Sequence, residues 1–128
     1  MTARLDYLYR HCGDLGLDVE WADLGERRRG EYRADELLIR LNVRLTQVEA
    51  ASTLAHEIAH HLAGDRCSSP VAERMAWERG AALLITTAEY AQAERVVGCH
   101  PNALAAELDV TPRVIVAWRR WFSRRRYG

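Results

Sequence analysis

The stretch from Leu37 to Ala63 leaves this chain the least freedom. Leu37, Ile39, Leu41 and Val43 alternate with Leu38, Arg40, Asn42 and Arg44, the period of two that gives a strand one apolar face. Thr46-Gln47-Val48-Glu49 follows in the form of a capping box, which starts a helix, and Gly64 can stop that helix after Ala63. Leu54, Ile58 and Leu62, with Ala51 and Ala55, supply the helix with an apolar face to bury. A strand running straight into an amphipathic helix fixes the middle of the fold, and the other segments must pack around it.

Those segments read as follows. Residues 3–12 have Leu5, Leu8 and Cys12 at helical spacing, ended by Gly13. Leu17, Val19 and Trp21 then alternate with Asp18, Glu20 and Ala22 as a strand. Residues 26–30 read as a hairpin turn, and residues 31–33 as the returning strand with Tyr32 facing inward. Ser69-Pro70 has the form of an N-cap followed by a first-turn proline, opening a helix to about residue 85. Further helices are expected over 88–97, 102–108 and 112–125. The order predicts an α+β fold: an N-terminal helix, a small three-stranded antiparallel sheet, then helices only. A chain of 128 residues has room for one core of this kind.

Composition removes several classes. No apolar run approaches the roughly 18–20 residues of a membrane span. Residues 1–10 carry charge where a secretion signal needs an apolar segment. Cys12, Cys67 and Cys99 are odd in number, far apart and without a CxxC pair, which fits free thiols in a reducing cytoplasm. A cytoplasmic protein without membrane contact is expected.

The chemistry lies in His56-Glu57-Ile58-Ala59-His60, an HExxH inside the central helix. Residues four apart share one helical face, so two imidazoles at this spacing can reach one metal ion. Glu57 lies about 100° round the helix from His56, where its carboxylate can border the metal and move protons without ligating it. Zinc is the expected ion, because it accepts imidazole and carboxylate ligands and keeps a position open for water.

A third ligand must come from elsewhere. A histidine six residues after His60 would mark one large peptidase class, but that position is Arg66. Asp65 stands at the helix stop and reads as solvated; His61 points about 100° away from His60; Cys67 is a lone thiol. Glu73 and Glu78 on the next helix remain. Glu73 shares a face with Pro70, Ala76, Trp77, Gly80 and Leu84, and an acid on an apolar stripe needs a partner. Glu78 has Arg74 at i−4, and a solvated ion pair accounts for it without a metal. The pattern favours Glu73 and leaves Glu78 as the alternative.

At these residues the sequence resembles the ImmA/IrrE-type metallopeptidases of bacteria, mobile elements and phages. The resemblance covers most of the chain. It is carried by residues 39–46 leading into residues 52–61, by Glu73-Arg74-Met75-Ala76 with Ala81 and Leu83-Leu84-Ile85 (an ExxA…LL segment), and by Leu104-Ala105 through Leu108-Asp109-Val110-Thr111-Pro112-Arg113-Val114. It implies a minimal zincin-like fold and a gluzincin-like site, with His56, His60 and Glu73 holding one zinc ion and Glu57 as catalytic base. Trp77 and Gly80 depart from the family pattern without touching a ligand position. The implied function is a zinc-dependent endopeptidase that cleaves a partner regulator, a helix-turn-helix repressor, and so releases immunity or stress genes. An extended substrate would add to the edge of the sheet, with residues 37–43 as that edge. For the oxyanion, Tyr90, His100 and arginines are candidates; His61 and Glu78 are secondary site candidates.

Residues 1–98 thus read as the metallopeptidase core and 99–128 as a helical, helix-turn-helix-like segment packed on it or continuous with it. Thr111-Pro112 suits the start of a recognition helix, with Val114, Ile115, Ala117 and Trp118 as its apolar face. Arg113, Arg119, Arg120, Arg124, Arg125 and Arg126 make this end basic. The eighteen arginines and eighteen acids of the whole chain cancel, yet the last sixteen residues hold six arginines and no acid. That division supports the competing expectation: a DNA-binding or partner-binding regulator with a structural zinc and weak or absent peptidase activity.

Overall fold

The computed structural model describes residues 2–66 and 68–127, with the backbone alone for Tyr127. Its elements are α1 (Ala3–Leu15), β1 (Asp18–Ala22), β2 (Gly30–Arg33), a single 3₁₀ turn (Ala34–Glu36), β3 (Leu38–Asn42), α2 (Gln47–Ala63), α3 (Pro70–Leu84), α4 (Thr87–Val97), α5 (Pro101–Leu108) and α6 (Pro112–Tyr127). This is an α+β fold. No helix among the described residues is long and apolar enough to cross a membrane. Helix α1 runs past Gly13 and stops instead at Gly16, which takes φ 72°; the N–H groups of Gly16 and Leu17 close the last turn onto Gly13 and Cys12.

The sheet differs from the expected antiparallel hairpin. Its order is β1-β3-β2, with β1 parallel and β2 antiparallel to β3, so β1 and β2 never pair. The reason sits in β3. The Asn42 side chain is buried and its Nδ2 donates to the carbonyls of Gly25 and Arg28, both at 2.7 Å. These bonds tie down the loop after β1 and carry the chain to the far side of β3 before β2 begins. Hence β3 is the central strand, and the edges are β1 and β2. Ile39 and Leu41 face the core as the alternation requires, while Leu37 and Val43 at its ends are exposed.

Helix α2 is the axis of the molecule. The capping box forms, with Thr46 Oγ1 accepting from Glu49 N–H and Glu49 Oε1 from Thr46 N–H. Every residue from Ala50 to His60 is buried, because α1, the sheet and α3 enclose the helix. Ala50, Ala51, Leu54, Ala55 and Ile58 meet Leu5, Leu8, Ile39 and Leu41 in the core. Helix α3 crosses α2 at Gly80, where an added Cβ would stand 3.0 Å from the backbone of Ala55 and His56. Helix α6 lies along α3 and is tied to the body at several points. Thr111 Oγ1 is 3.3 Å from Ser52 Oγ, Trp118 Nε1 donates to Ile85 O at 3.0 Å, and Trp118 stacks on Tyr90.

Two stability measurements follow from this packing. Gly to Ala inside a helix ordinarily stabilises by up to about 1 kcal/mol. At Gly80 the new methyl meets fixed backbone, so Gly80→Ala should instead destabilise by about 1–3 kcal/mol in urea melts. The second concerns Glu89, which caps α4 and meets Arg4 of α1 at 3.1 Å. Burial raises its pKa, but the Thr86 N–H bond and the Arg4 charge outweigh this and hold it below the usual carboxylate range. A depressed folded pKa stabilises above the unfolded value of about 4.3 and is lost as pH falls through the folded value. Glu89→Gln should therefore be less stable than the parent at neutral pH, with the gap narrowing on acidification below about pH 4.

Candidate active site

The polar face of α2 is roofed by the first turn of α3. His56 and His60 stand one turn apart, 7 % exposed each, with their Nε2 atoms 3.2 Å apart. Ser69 and Pro70 start α3 so that Glu73 falls in its first turn, aimed back at α2. Its Oε1 lies 2.9 Å from His56 Nε2 and its Oε2 3.0 Å from His60 Nε2. Ser68 Oγ donates to the same carboxylate at 2.8 Å. The Glu73 side chain is 40 % exposed, so it stands at the mouth of the site rather than on a buried apolar stripe.

Each histidine is oriented by a different device. His60 Nδ1 meets Asp65 Oδ2 at 2.9 Å. Contrary to the expectation of a solvated helix-end residue, Asp65 turns back. Gly64 takes φ 71°, and the Asp65 N–H bonds to His60 O at 3.0 Å, reversing the chain beneath the helix end. His56 is set by stacking: its ring lies on Trp77 with centroids 4.2 Å apart. Its Nδ1 is buried without a hydrogen-bond partner among the described residues.

The donor set fits a metal ion. A carboxylate can only accept, so the bond between His60 and Asp65 puts a proton on Nδ1, and Nε2 is the nitrogen left for a metal ion. Glu73 Oε2 stands 3.0 Å from that nitrogen, so the two atoms can be donors to one cation. The separations of 2.9, 3.0 and 3.2 Å are also near the roughly 3.3 Å expected of donors about 2.0–2.1 Å from one tetrahedral ion. His56, Glu57 and His60 bring ligand atoms within 4.8 Å of one another and could hold such an ion.

Burial divides the protonation states. Burial, aided by the charge of His60, pushes His56 down to about 4, so it is neutral at neutral pH. On His60 burial acts in the same direction, but the Asp65 bond and the Glu73 and Glu57 carboxylates outweigh it, and its pKa rises. Glu73 is held low: burial raises it, while the Ser68 hydroxyl and both histidines lower it further. Glu57, 8 % exposed, is pushed up to about 7, mainly by burial. A carboxyl poised near neutrality can both take and return a proton.

Around this centre runs a groove of about 580 Å³, with Gly30, Tyr32 and Thr53 on one bank and Trp77 and Arg113 on the other. Arg113 lies over the Trp77 ring at 4.0 Å, and Tyr32 Oη is 2.7 Å from His61 Nδ1. His61 therefore faces the β2 bank and not the metal donors. The remaining sequence candidates lie elsewhere. Tyr90 stacks on Trp118 and its hydroxyl accepts from Arg119 Nε at 2.7 Å. His100 is exposed and caps α5 by accepting from Asn102 N–H. Glu78 is not solvated and does not pair with Arg74. It is 1 % exposed, and its Oε1 accepts from Arg124 Nε at 2.7 Å. Cys67 lies outside the described residues. Sequence reasoning gave no site role to Ser68 or Thr53 and took Tyr32 only as an inward strand residue. Nothing in their local pattern marks them, because loop and sheet geometry bring them in.

A small mixed sheet over an HExxH helix, with a carboxylate delivered by the next helix, defines a zincin-like metallopeptidase scaffold. The chain belongs to the peptidase family described as the IrrE N-terminal-like domain, whose sequence profile matches residues 12–117. Among curated proteins nothing matches.

Loss of the histidine-orienting carboxylate gives a direct test of the centre. Asp65→Ala should bind zinc about 10- to 100-fold more weakly in chelator competition, since partners of ligating histidines contribute on that scale. Its far-UV circular dichroism should remain that of the parent.

Proposed function

We propose that this protein is a zinc-dependent endopeptidase that hydrolyses a peptide bond in a partner regulator, a helix-turn-helix repressor, and thereby controls immunity or stress genes. The observation that carries the peptidase reading is the convergence of two imidazole nitrogens and the Glu73 carboxylate within 3.2 Å, beside a buried carboxyl with a pKa near 7. Family membership supports a protein substrate. His56, His60 and Glu73 are the proposed ligands and Glu57 the proton carrier. Residues 1–98 hold this chemistry, and residues 99–128 brace it through α6.

When bound, zinc would polarise a carbonyl oxygen and lower the pKa of water toward neutrality. The side chains do the rest. Glu57, kept from bulk water, takes the proton of the attacking water and returns it to the leaving amine. Asp65 and Trp77 hold the two imidazoles in place. The substrate lies extended along β2, not along the central β3. Asn42 N–H donates to Arg29 O, and with the β2–β3 register this turns the peptide groups of Gly30 and Tyr32 to the free edge. Those groups can bond to a peptide running through the groove.

The alternative, a DNA-binding or partner-binding regulator, would place its contacts on α6. Part of the basic surface there is already engaged within the chain: Arg119 on Tyr90, Arg124 on Glu78 and Arg125 on Trp121. This favours the peptidase reading. Purified protein, loaded with zinc, should cleave the repressor encoded beside it. Glu57→Gln should retain zinc and lose cleavage by about 100-fold or more, while His60→Ala should lose zinc as well. Full cleavage by Glu57→Gln would overturn the assignment.

A further inference from the structure

A second cleft, of about 290 Å³, opens between α3 and α6 and shares Glu73, Trp77 and Arg113 with the active-site groove. A peptide leaving the metal centre on that side enters it. Arg74, Arg113 and Arg120 line this cleft. Among the described residues none of the three has a carboxylate partner. Arg4, Arg10, Arg28, Arg33, Arg40, Arg44 and Arg124 have one, whereas Arg79, Arg95 and Arg119 do not, so what sets the three apart is that they line one cleft. Of the cleft's own acids, Glu73 meets the two histidines and Ser68, and Glu78 is ion-paired with Arg124 through Oε1, its Oε2 being buried without a hydrogen-bond partner among the described residues. What the cleft leaves uncompensated is positive charge from three guanidinium groups. Trp77, Val116 and Ala117 add apolar wall that suits a short methylene stem. Arg113 is already held against the Trp77 face at 4.0 Å, so little freedom remains to be lost when its N–H groups meet an anion.

We propose that this cleft is a subsite for an acidic side chain of the substrate, glutamate or aspartate, lying close to the scissile bond. The inference rests on the peptidase reading and names the substrate class for it. A peptide fits better than a nucleic acid, because the arginines converge on a concave space continuous with the groove, while duplex phosphates need an open surface.

The test uses zinc-loaded Glu57→Gln protein and fluorescein-labelled alanine peptides carrying a single Glu, Gln or Lys, read by fluorescence polarisation. The Glu peptide should bind about five- to tenfold more tightly than the Gln peptide, with Lys weakest. The preference should shrink as salt rises. In Arg74→Gln/Arg113→Gln/Arg120→Gln the Glu and Gln peptides should bind equally, with zinc content unchanged. Arg120→Gln alone should give part of that loss, which guards against misfolding of the triple variant. Equal binding of Glu and Gln by the parent, no binding of either, or a preference that survives in the triple variant would overturn the subsite. So would a DNA duplex that displaces the Glu peptide and depends on the same arginines, since the cleft would then be a phosphate site. Cleavage by the wild-type protein separates the two claims. A Glu preference in binding without any cleavage sinks the peptidase reading and leaves the subsite. Cleavage indifferent to acidic residues sinks the subsite alone.

Discussion

Helix α3 can lie on α2 only because position 80 carries no side chain. With backbone meeting backbone at Gly80, Ala55 and His56, the distance between the two helices is set by main-chain atoms, which cannot relax as side chains can. Everything at the site is measured from that crossing. Glu73, two turns earlier on α3, reaches both histidines, and Trp77, one turn earlier, lies against the His56 ring at a tilt of 30°. A larger residue at 80 would lift the whole carboxylate and aromatic roof together. The mid-helix glycine that weakens α3 by propensity is thus the residue that positions its chemistry.

Close packing also produces the electrostatics. An HExxH on an exposed helix would leave its glutamate near its ordinary pKa and its histidines free to rotate. Here the enclosing sheet and α3 bury Glu57 and His56, and burial is the leading cause of both their shifts, upward for the acid and downward for the base. Glu73, nearer to water, is held below the usual carboxylate range by the Ser68 hydroxyl and the two histidines. Two kinds of carboxyl border one site, Glu73 of α3 held low and Glu57 of α2 poised near neutrality, so the proposed ligand and the proposed proton carrier can be the same residue type.

How much of this was legible in the sequence depended on the range of the deciding interaction. Helix α2 was readable at both ends because Thr46, Glu49 and Gly64 act within a few residues. The α+β class, the α3 cap at Ser69 and the pairing of His56 with His60 were local in the same sense. Strand periodicity told which face of β3 is buried, but it carries no information about which strand lies alongside. That was decided by the Asn42 amide holding a loop fourteen to seventeen residues away. Glu78 was misread for a related reason: the i−4 rule offered Arg74, whereas a helix forty-six residues later brought Arg124. Asp65 failed on geometry, since a left-handed Gly64 reverses the chain and makes the end of the helix its own neighbour.

The same distance argument explains the charge division between the body and the tail. Twelve arginines against eighteen acids leave the first 112 residues acidic, and the last sixteen add six arginines. Arg124 spends its charge on a buried glutamate of α3, and a buried carboxylate without its cation would be strongly destabilising. Arg113 lies on the tryptophan that holds His56. The basic helix is therefore part of the wall of the candidate metal site, packed on the helix that carries Glu73. In a chain this short, the segment that resembles a separate DNA-reading unit is also the support that keeps the proposed catalytic geometry closed. Arg113 and Arg120 of that helix, with Arg74 of α3, line the cleft beside it.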